Sequence, residues 1–144
     1  MIEFHHPGDL NRDEIKLFLQ EAIIHYPYLF DPNYLDAWSD KLSKYARCVC
    51  MRDGSAIQSV CLYYCNEQTQ AAYITLIVAL PGAAKGSGYE LFRRCFDDAK
   101  RSGMEKIRLE VLKSNMHAQR FYLRQGLVFA GEHDDKLLME MNIK

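Results

Sequence analysis

From Ala72 to Leu80 the chain is almost unbroken in apolar side chains, and it runs directly into Pro81-Gly82-Ala83-Ala84-Lys85-Gly86-Ser87-Gly88. An apolar run of this kind, ended by turn residues, reads as a strand covered on both faces. Such a strand needs helices packed on its sheet, which restricts the fold more than any other feature of the chain. Tyr89, Leu91, Phe92, Cys95, Phe96 and Ala99 follow at helical spacing, and Gly103 reads as the C-cap of a helix from Tyr89 to Gly103. Ile107, Leu109 and Val111 then alternate as a strand. The segment from Ala72 to Val111 is therefore a strand, helix and strand whose two strands should lie parallel, joined by a right-handed crossover.

The first third reads as helical. Asn11-x-x-Glu14 resembles a capping box, followed by Ile15, Phe18, Leu19, Ala22 and Ile23 at helical spacing, with Pro27 ending the helix. Asp31-Pro32 reads as an N-cap with proline at the first helical position, ahead of a stripe of Tyr34, Leu35, Trp38 and Leu42. Arg47 to Met51 is a short strand, Asp53-Gly54 a hairpin turn, and Ile57 to Tyr64 a second strand. After the polar turn Asn66 to Gln70, the apolar strand completes an antiparallel meander. A short helix from Asn115 to Gln125 and strands Leu127 to Ala130 and Leu137 to Ile143 follow. In the last strand Leu137, Met139, Met141 and Ile143 share a face. The chain of 144 residues is the size of one domain, 1–144, of the α/β class. Its sheet is expected to be mixed, with helices on both faces.

The net charge of -1 argues against bulk attraction to nucleic acid or to an anionic membrane, so the expected partner is a small molecule or a polypeptide. No apolar run approaches the roughly 20 residues of a membrane span, and the opening Met-Ile-Glu-Phe-His-His lacks the pattern of a signal peptide. A cytoplasmic protein is expected. The five cysteines, Cys48, Cys50, Cys61, Cys65 and Cys95, are odd in number, which argues against a closed disulfide framework. Four lie in strand-like runs and read as buried thiols in a reducing compartment. Cys48-x-Cys50 and Cys61-x-x-x-Cys65 lack the Cys-x-x-Cys knuckle of a structural zinc, so no metal is expected. A thiol nucleophile stays open, with no histidine close to these cysteines in sequence. His5-His6 reads as a solvated pair.

The chemistry concentrates where the apolar strand meets the helix. The first turn of a helix presents unpaired N–H groups and a partial positive charge, a natural seat for a phosphate. Gly86 and Gly88 let the backbone approach a bulky anion, while Lys85 and Ser87 offer a charge and a hydroxyl. Gly82 is followed by too few residues before Gly86 for a Walker loop, and Lys85 precedes that glycine. Leu91 stands where a dinucleotide fingerprint needs a third small residue. A plain strand-to-helix turn remains the alternative.

The segment Val78-Ala79-Leu80-Pro81-Gly82-Ala83-Ala84-Lys85-Gly86-Ser87-Gly88 resembles motif A of the GNAT superfamily of acyl-CoA-dependent N-acyltransferases. Motif B is matched downstream by Val111, Asn115, Ala118, Phe121-Tyr122 and Gly126-Leu127 at the family's spacing. The resemblance implies a GNAT-like, mainly antiparallel sheet with a central parallel pair. It also implies an acetyl-CoA donor whose pyrophosphate is held by Ala83, Ala84, Lys85, Gly86, Ser87, Gly88 and Tyr89. Ala83 stands where the family usually has Gln or Arg, and the loop N–H groups are expected to carry the binding. The strand with Ile77 and Val78 is implied to hold the pantetheine arm, with a backbone N–H near Val78 facing the thioester oxygen. Asn115 is implied as a cofactor contact; helix N-capping is its plainer role.

The implied reaction is direct transfer to a primary amine, much of its rate coming from alignment. Tyr122 matches the tyrosine that protonates the leaving thiolate, or else only packs its ring on the core. No Glu lies on the strand from Tyr73 to Ala79, so Glu110 on the next strand is the first candidate base; its alternative is a surface ion pair with Arg108 or Lys106. Tyr73 and Thr75 are candidates for a water path. The aromatic connection from His25 to Phe30, with Tyr26, Tyr28 and Phe30, either lines an acceptor pocket for a small-molecule or peptide amine or plugs the space between helices. Tyr73 joins the candidate acceptor residues. The resemblance also implies a homodimer. A competing reading is a non-catalytic acyl-CoA-binding regulatory module of the same fold, and a third is a thiol- or metal-dependent domain built on the cysteines.

Overall fold

The structure is a computed structural model that describes residues 2–144. In chain order the elements are β1 (Ile2–His5), α1 (Arg12–His25), a 3-10 turn (Pro32–Tyr34), α2 (Leu35–Tyr45), β2 (Arg47–Asp53), β3 (Ala56–Asn66), β4 (Ala71–Ala79), α3 (Ser87–Arg101), β5 (Lys106–Leu112), α4 (Met116–Gln125), β6 (Val128–His133) and β7 (Lys136–Asn142). The strands form one seven-stranded sheet in the order β1-β2-β3-β4-β5-β7-β6, mostly antiparallel with β4 and β5 as the parallel pair. The mixed α/β architecture and the βαβ unit around α3 are those expected from the apolar run. Among the described residues no helix is long and apolar enough to cross a membrane. Contacts divide the chain into two compact units, one formed by the chain up to Tyr64 with Leu76–Cys95, the other by Cys65–Thr75 with Phe96–Lys144.

In the first unit, α1 begins where Asn11 accepts a hydrogen bond from the Asp13 N–H at 2.7 Å. The expected capping box is only half formed, because the Glu14 carboxylate pairs instead with Arg52 on β2 at 2.8 Å. Asp31 caps the 3-10 turn through the Asn33 N–H, with Pro32 at its first position. Ile15, Phe18, Leu19 and Ala22 of α1 meet Leu42 of α2 and Cys48, Cys50, Val60 and Leu62 of the sheet in one core. Leu19 and Leu42 are at most 1% exposed, each worth about 1.5–3 kcal/mol of burial. Tyr34 departs from its expected place in the apolar stripe: it lies in the 3-10 turn ahead of α2 and is 65% exposed.

The expectation that the first third is all helical is corrected by β1. Ile2–His5 pairs antiparallel with β2, from Ile2↔Met51 to His5↔Cys48. Four residues are too few for alternation to declare a strand; β2 supplies the ladder. Of the expected solvated pair, His6 is exposed, its ring edge-on to Phe4 at 4.8 Å, whereas His5 is half-buried with Nε2 3.0 Å from Glu3 Oε1.

In the second unit, Ile107, Leu109, Leu127 and Met139 are at most 1% exposed and form its interior. β7 pairs along the whole of β5, from Lys106↔Asn142 to Leu112↔Lys136. α4 ends at Gly126, whose φ of 106° is left-handed, and the Leu127 N–H closes back on the Tyr122 carbonyl at 3.1 Å. β6 extends past the expected Leu127 to Ala130, and its residues are exposed. β4 also differs from a strand covered on both faces: Ala72, Ile74 and Leu76 are buried, whereas Tyr73, Thr75 and Ile77 are half-buried.

Candidate active site

The turn between β4 and α3 is built by hydrogen bonds that reverse the chain in two steps. The Ala83 N–H donates to the Leu80 carbonyl at 3.0 Å, and the Ser87 N–H to the Ala84 carbonyl at 3.1 Å. Gly82 and Gly86 hold φ values of 92° and 84°, the left-handed region in which a side chain is strained. At Gly86 a Cβ would meet no atom within 4 Å, so the glycine serves backbone conformation and leaves its flank open. α3 opens at Ser87, two residues before its expected start. Its ladder begins with the Glu90 N–H on the Gly86 carbonyl at 3.1 Å, so the N–H groups of Gly88 and Tyr89 precede the first intrahelical bond. Ser87 is buried, and its hydroxyl donates to the Ala84 carbonyl, closing the turn. Lys85 and Ala84 are exposed and Ala83 half-exposed, and Tyr89 is 51% exposed.

Upstream, Val78 packs against the core of the first unit, while its neighbour Ile77 is half-buried. The aromatic connection after α1 divides. Tyr26 donates its hydroxyl to the Ala79 carbonyl at the end of β4, 2.8 Å away, and Tyr28 lies edge-on to it at 6.3 Å and is 55% exposed. Phe30 turns toward Trp38, with ring centroids 4.9 Å apart, and packs on the core as the plug reading expects.

In the second unit, β4 and β5 pair from Ala71↔Lys106 to Ile74↔Leu109, while β4 continues to Ala79 and β5 to Leu112. Tyr73 donates its hydroxyl to Glu110 Oε1 at 3.1 Å. Burial first, and then the Glu110 charge and hydrogen bond, push the Tyr73 phenol up to about 12. The alternative of an ion pair between Glu110 and Arg108 or Lys106 is not what forms: both cations point at Glu140, at 3.2 and 3.8 Å. Glu110 is an exposed carboxylate in the grip of a neutral phenol.

Asn115 caps α4, its side chain accepting from the Ala118 N–H at 3.1 Å. Tyr122 is 8% exposed, with its ring edge-on to Phe121 at 5.4 Å. One residue escaped sequence reasoning. Gln119, 5% exposed, donates its amide to the Leu112 and Lys113 carbonyls at 3.0 and 2.9 Å, tying the first turns of α4 to the end of β5. A polar residue three positions before Tyr122 gives no sign that it points inward. The five cysteines are thiols, buried except for half-buried Cys65. The histidine that sequence proximity could not supply lies across the ladder, His5 opposite Cys48.

A family model for GNAT acetyltransferases matches residues 12–127. Among solved structures, the PaiA N-acetyltransferase of Thermoplasma acidophilum, in complex with coenzyme A, is 16% identical with a TM-score of 0.76 over 99% of each chain. The ribosomal-protein-S18-alanine N-acetyltransferase of Escherichia coli is 15% identical with a TM-score of 0.77, over 100% of this chain and 95% of its own. A GNAT-family acetyltransferase of Staphylococcus aureus Mu50 is 14% identical with a TM-score of 0.76 over 100% of each. No curated protein matches the sequence. At such identities the likeness to these structures is one of fold.

Proposed function

Because this chain belongs to the GNAT family of acetyltransferases, we propose that it moves an acetyl group from acetyl-CoA to a primary amine by direct attack in a ternary complex. The observation that carries the proposal is the opening of α3. Gly86 is left-handed with open space on its flank, and the Gly88 and Tyr89 N–H groups stand ahead of the helix ladder. This is a seat for the pyrophosphate that needs no Gln or Arg at Ala83, because backbone donors and the helix dipole do the binding. Lys85, exposed beside it, adds a positive charge. Ser87 contributes its N-terminal position in the helix, its hydroxyl proton being used within the turn.

The reacting groups follow residue by residue. The amine loses a proton as its nitrogen bonds to the thioester carbon, and the carbon–sulfur bond breaks to release the CoA thiolate. Glu110 takes the amine proton, directly or through water, and Tyr73 orients the carboxylate through its hydroxyl. Tyr122 gives a proton to the departing sulfur. The Val78 backbone supplies the oxyanion contact. Asn115 keeps α4 in place, and Tyr122 with it, by capping the helix. Tyr26 and Tyr28 face the amine acceptor, a small molecule or a peptide.

The test is release of free thiol from acetyl-CoA across a broad panel of primary amines. Amine-dependent release well above hydrolysis is expected. Tight acetyl-CoA binding with no turnover on any amine would overturn the catalytic reading in favour of a regulatory module.

A further inference from the structure

The β1–β2 edge of the sheet gathers side chains that the acetyl-transfer chemistry does not use. Glu3 lies opposite Cys50 and His5 opposite Cys48 in the antiparallel register, so all four side chains project from one face. His5 Nε2 is 3.0 Å from Glu3 Oε1, and Cys50 Sγ is 3.8 Å from the same oxygen. The donor atoms of Glu3, His5 and Cys50 all lie within 4.8 Å of one another. We infer that Glu3, His5 and Cys50 form a binding site for a zinc-class divalent cation that clips β1 to β2.

Three features of the geometry carry this. First, the donor set of one thiolate, one imidazole and one carboxylate is the borderline-soft set that zinc takes, in preference to the all-oxygen sets of magnesium or calcium. Second, the spacing fits. Bonds of about 2.0 Å to nitrogen and oxygen and about 2.3 Å to sulfur in a tetrahedron place donors roughly 3.3–3.6 Å apart. The two pairs that share Glu3 Oε1, at 3.0 and 3.8 Å, bracket that range, and the His5–Cys50 pair, within 4.8 Å, closes by side-chain adjustment on binding.

Third, the charge closes. Arg52 Nε lies 3.0 Å from both Glu3 oxygens, and its Nη2 is 2.8 Å from Glu14. Two carboxylates against one guanidinium leave a single negative charge. A Cys50 thiolate makes it two, which a divalent cation neutralises. Arg52 can keep the outer Glu3 oxygen while the metal takes Oε1, fixing the carboxylate from behind in the manner of groups that orient metal ligands. Access is from the sheet edge: the Glu3 and His5 side chains are 35% and 23% exposed, whereas Cys50 is wholly buried beneath them.

The experiment is titration of the full chain, freed of metal by chelation, with Co²⁺ as a spectroscopic probe and with Zn²⁺ as competitor. One equivalent of Co²⁺ should produce a sulfur-to-cobalt charge-transfer band that Zn²⁺ displaces. Zn²⁺ should raise Tm, the rise levelling once the single site is filled. His5→Gln, at a partly exposed position where folding is expected to survive, should weaken Co²⁺ binding at least tenfold. Cys50→Ser should remove the charge-transfer band, and Cys65→Ser should leave it intact. Absence of saturable Co²⁺ binding would overturn the site, leaving an ion-pair cluster. So would a charge-transfer band unchanged in both His5→Gln and Cys50→Ser, which would put the metal on other thiols.

Discussion

Gly86→Ala separates what a glycine does for the backbone from what it does for a bound anion. Gly86 and Gly103 flank α3, with φ values of 84° and 83°, and at neither would a Cβ meet any atom within 4 Å. The two substitutions therefore carry the same cost to folding. Left-handed backbone costs an alanine about 1–2 kcal/mol, and the stiffer unfolded chain returns about 0.4–1 kcal/mol of that. Each variant should lose about 1 kcal/mol of stability, a Tm fall of roughly 4 °C. They should part company in binding. The new methyl at Gly86 occupies the open flank proposed for the pyrophosphate, whereas that at Gly103 lies past the helix C-terminus. Calorimetric titration with acetyl-CoA should show Kd rising at least tenfold, about 1.4 kcal/mol, for Gly86→Ala and unchanged for Gly103→Ala. Matched stability losses with matched Kd values would refute the assignment of the turn as the phosphate seat.

Tyr122→Phe should lower kcat strongly with little change in Tm, measured by thiol release at saturating acetyl-CoA; an unchanged rate would remove its role as acid. Tyr73 holds its proton to about pH 12, against an ordinary value near 10, because burial and Glu110 oppose the phenolate. The folded state therefore binds this proton more tightly than the unfolded chain. The resulting stability is fully present below about pH 10 and is lost as pH rises toward 12. Denaturant unfolding of Tyr73→Phe should show a shallower alkaline decline over that window than the parent chain. Asn115→Ala should cost about 1 kcal/mol through loss of the α4 cap, and Asn115→Ser should restore most of it in the same unfolding measurement. If Asn115 also touches the donor, the serine variant will regain stability without regaining the parent Kd for acetyl-CoA.

Much of the fold was legible because strong periodicities and turn residues agree. The apolar run to Leu80, the glycine turn and the stripe through Leu91 and Cys95 each point to the same strand-helix-strand unit. Local signals failed where a partner distant in sequence decides the outcome. β1 has four residues and becomes a strand only because β2 offers it a ladder. Glu14 looks like half of a capping box, but Arg52 arrives from β2 and takes its carboxylate. Glu110 sits two residues from Arg108 on the same face of β5, yet the antiparallel register sets Glu140 of β7 directly opposite Arg108, and the parallel neighbour β4 brings Tyr73 to Glu110. The pairing of Tyr73 with Glu110 and the inward turn of Gln119 are tertiary facts with no periodic trace. Gly86 and Asn115 were legible because each is dictated by local backbone needs: a left-handed φ at one, a helix N-terminus at the other.

The claim that the opening turn of α3 holds the donor's pyrophosphate is tested most directly by backbone amide NMR during titration with acetyl-CoA. The largest shifts, saturating with donor, are expected on the Gly86, Gly88 and Tyr89 amides. Saturable binding that leaves those amides unmoved would contradict it.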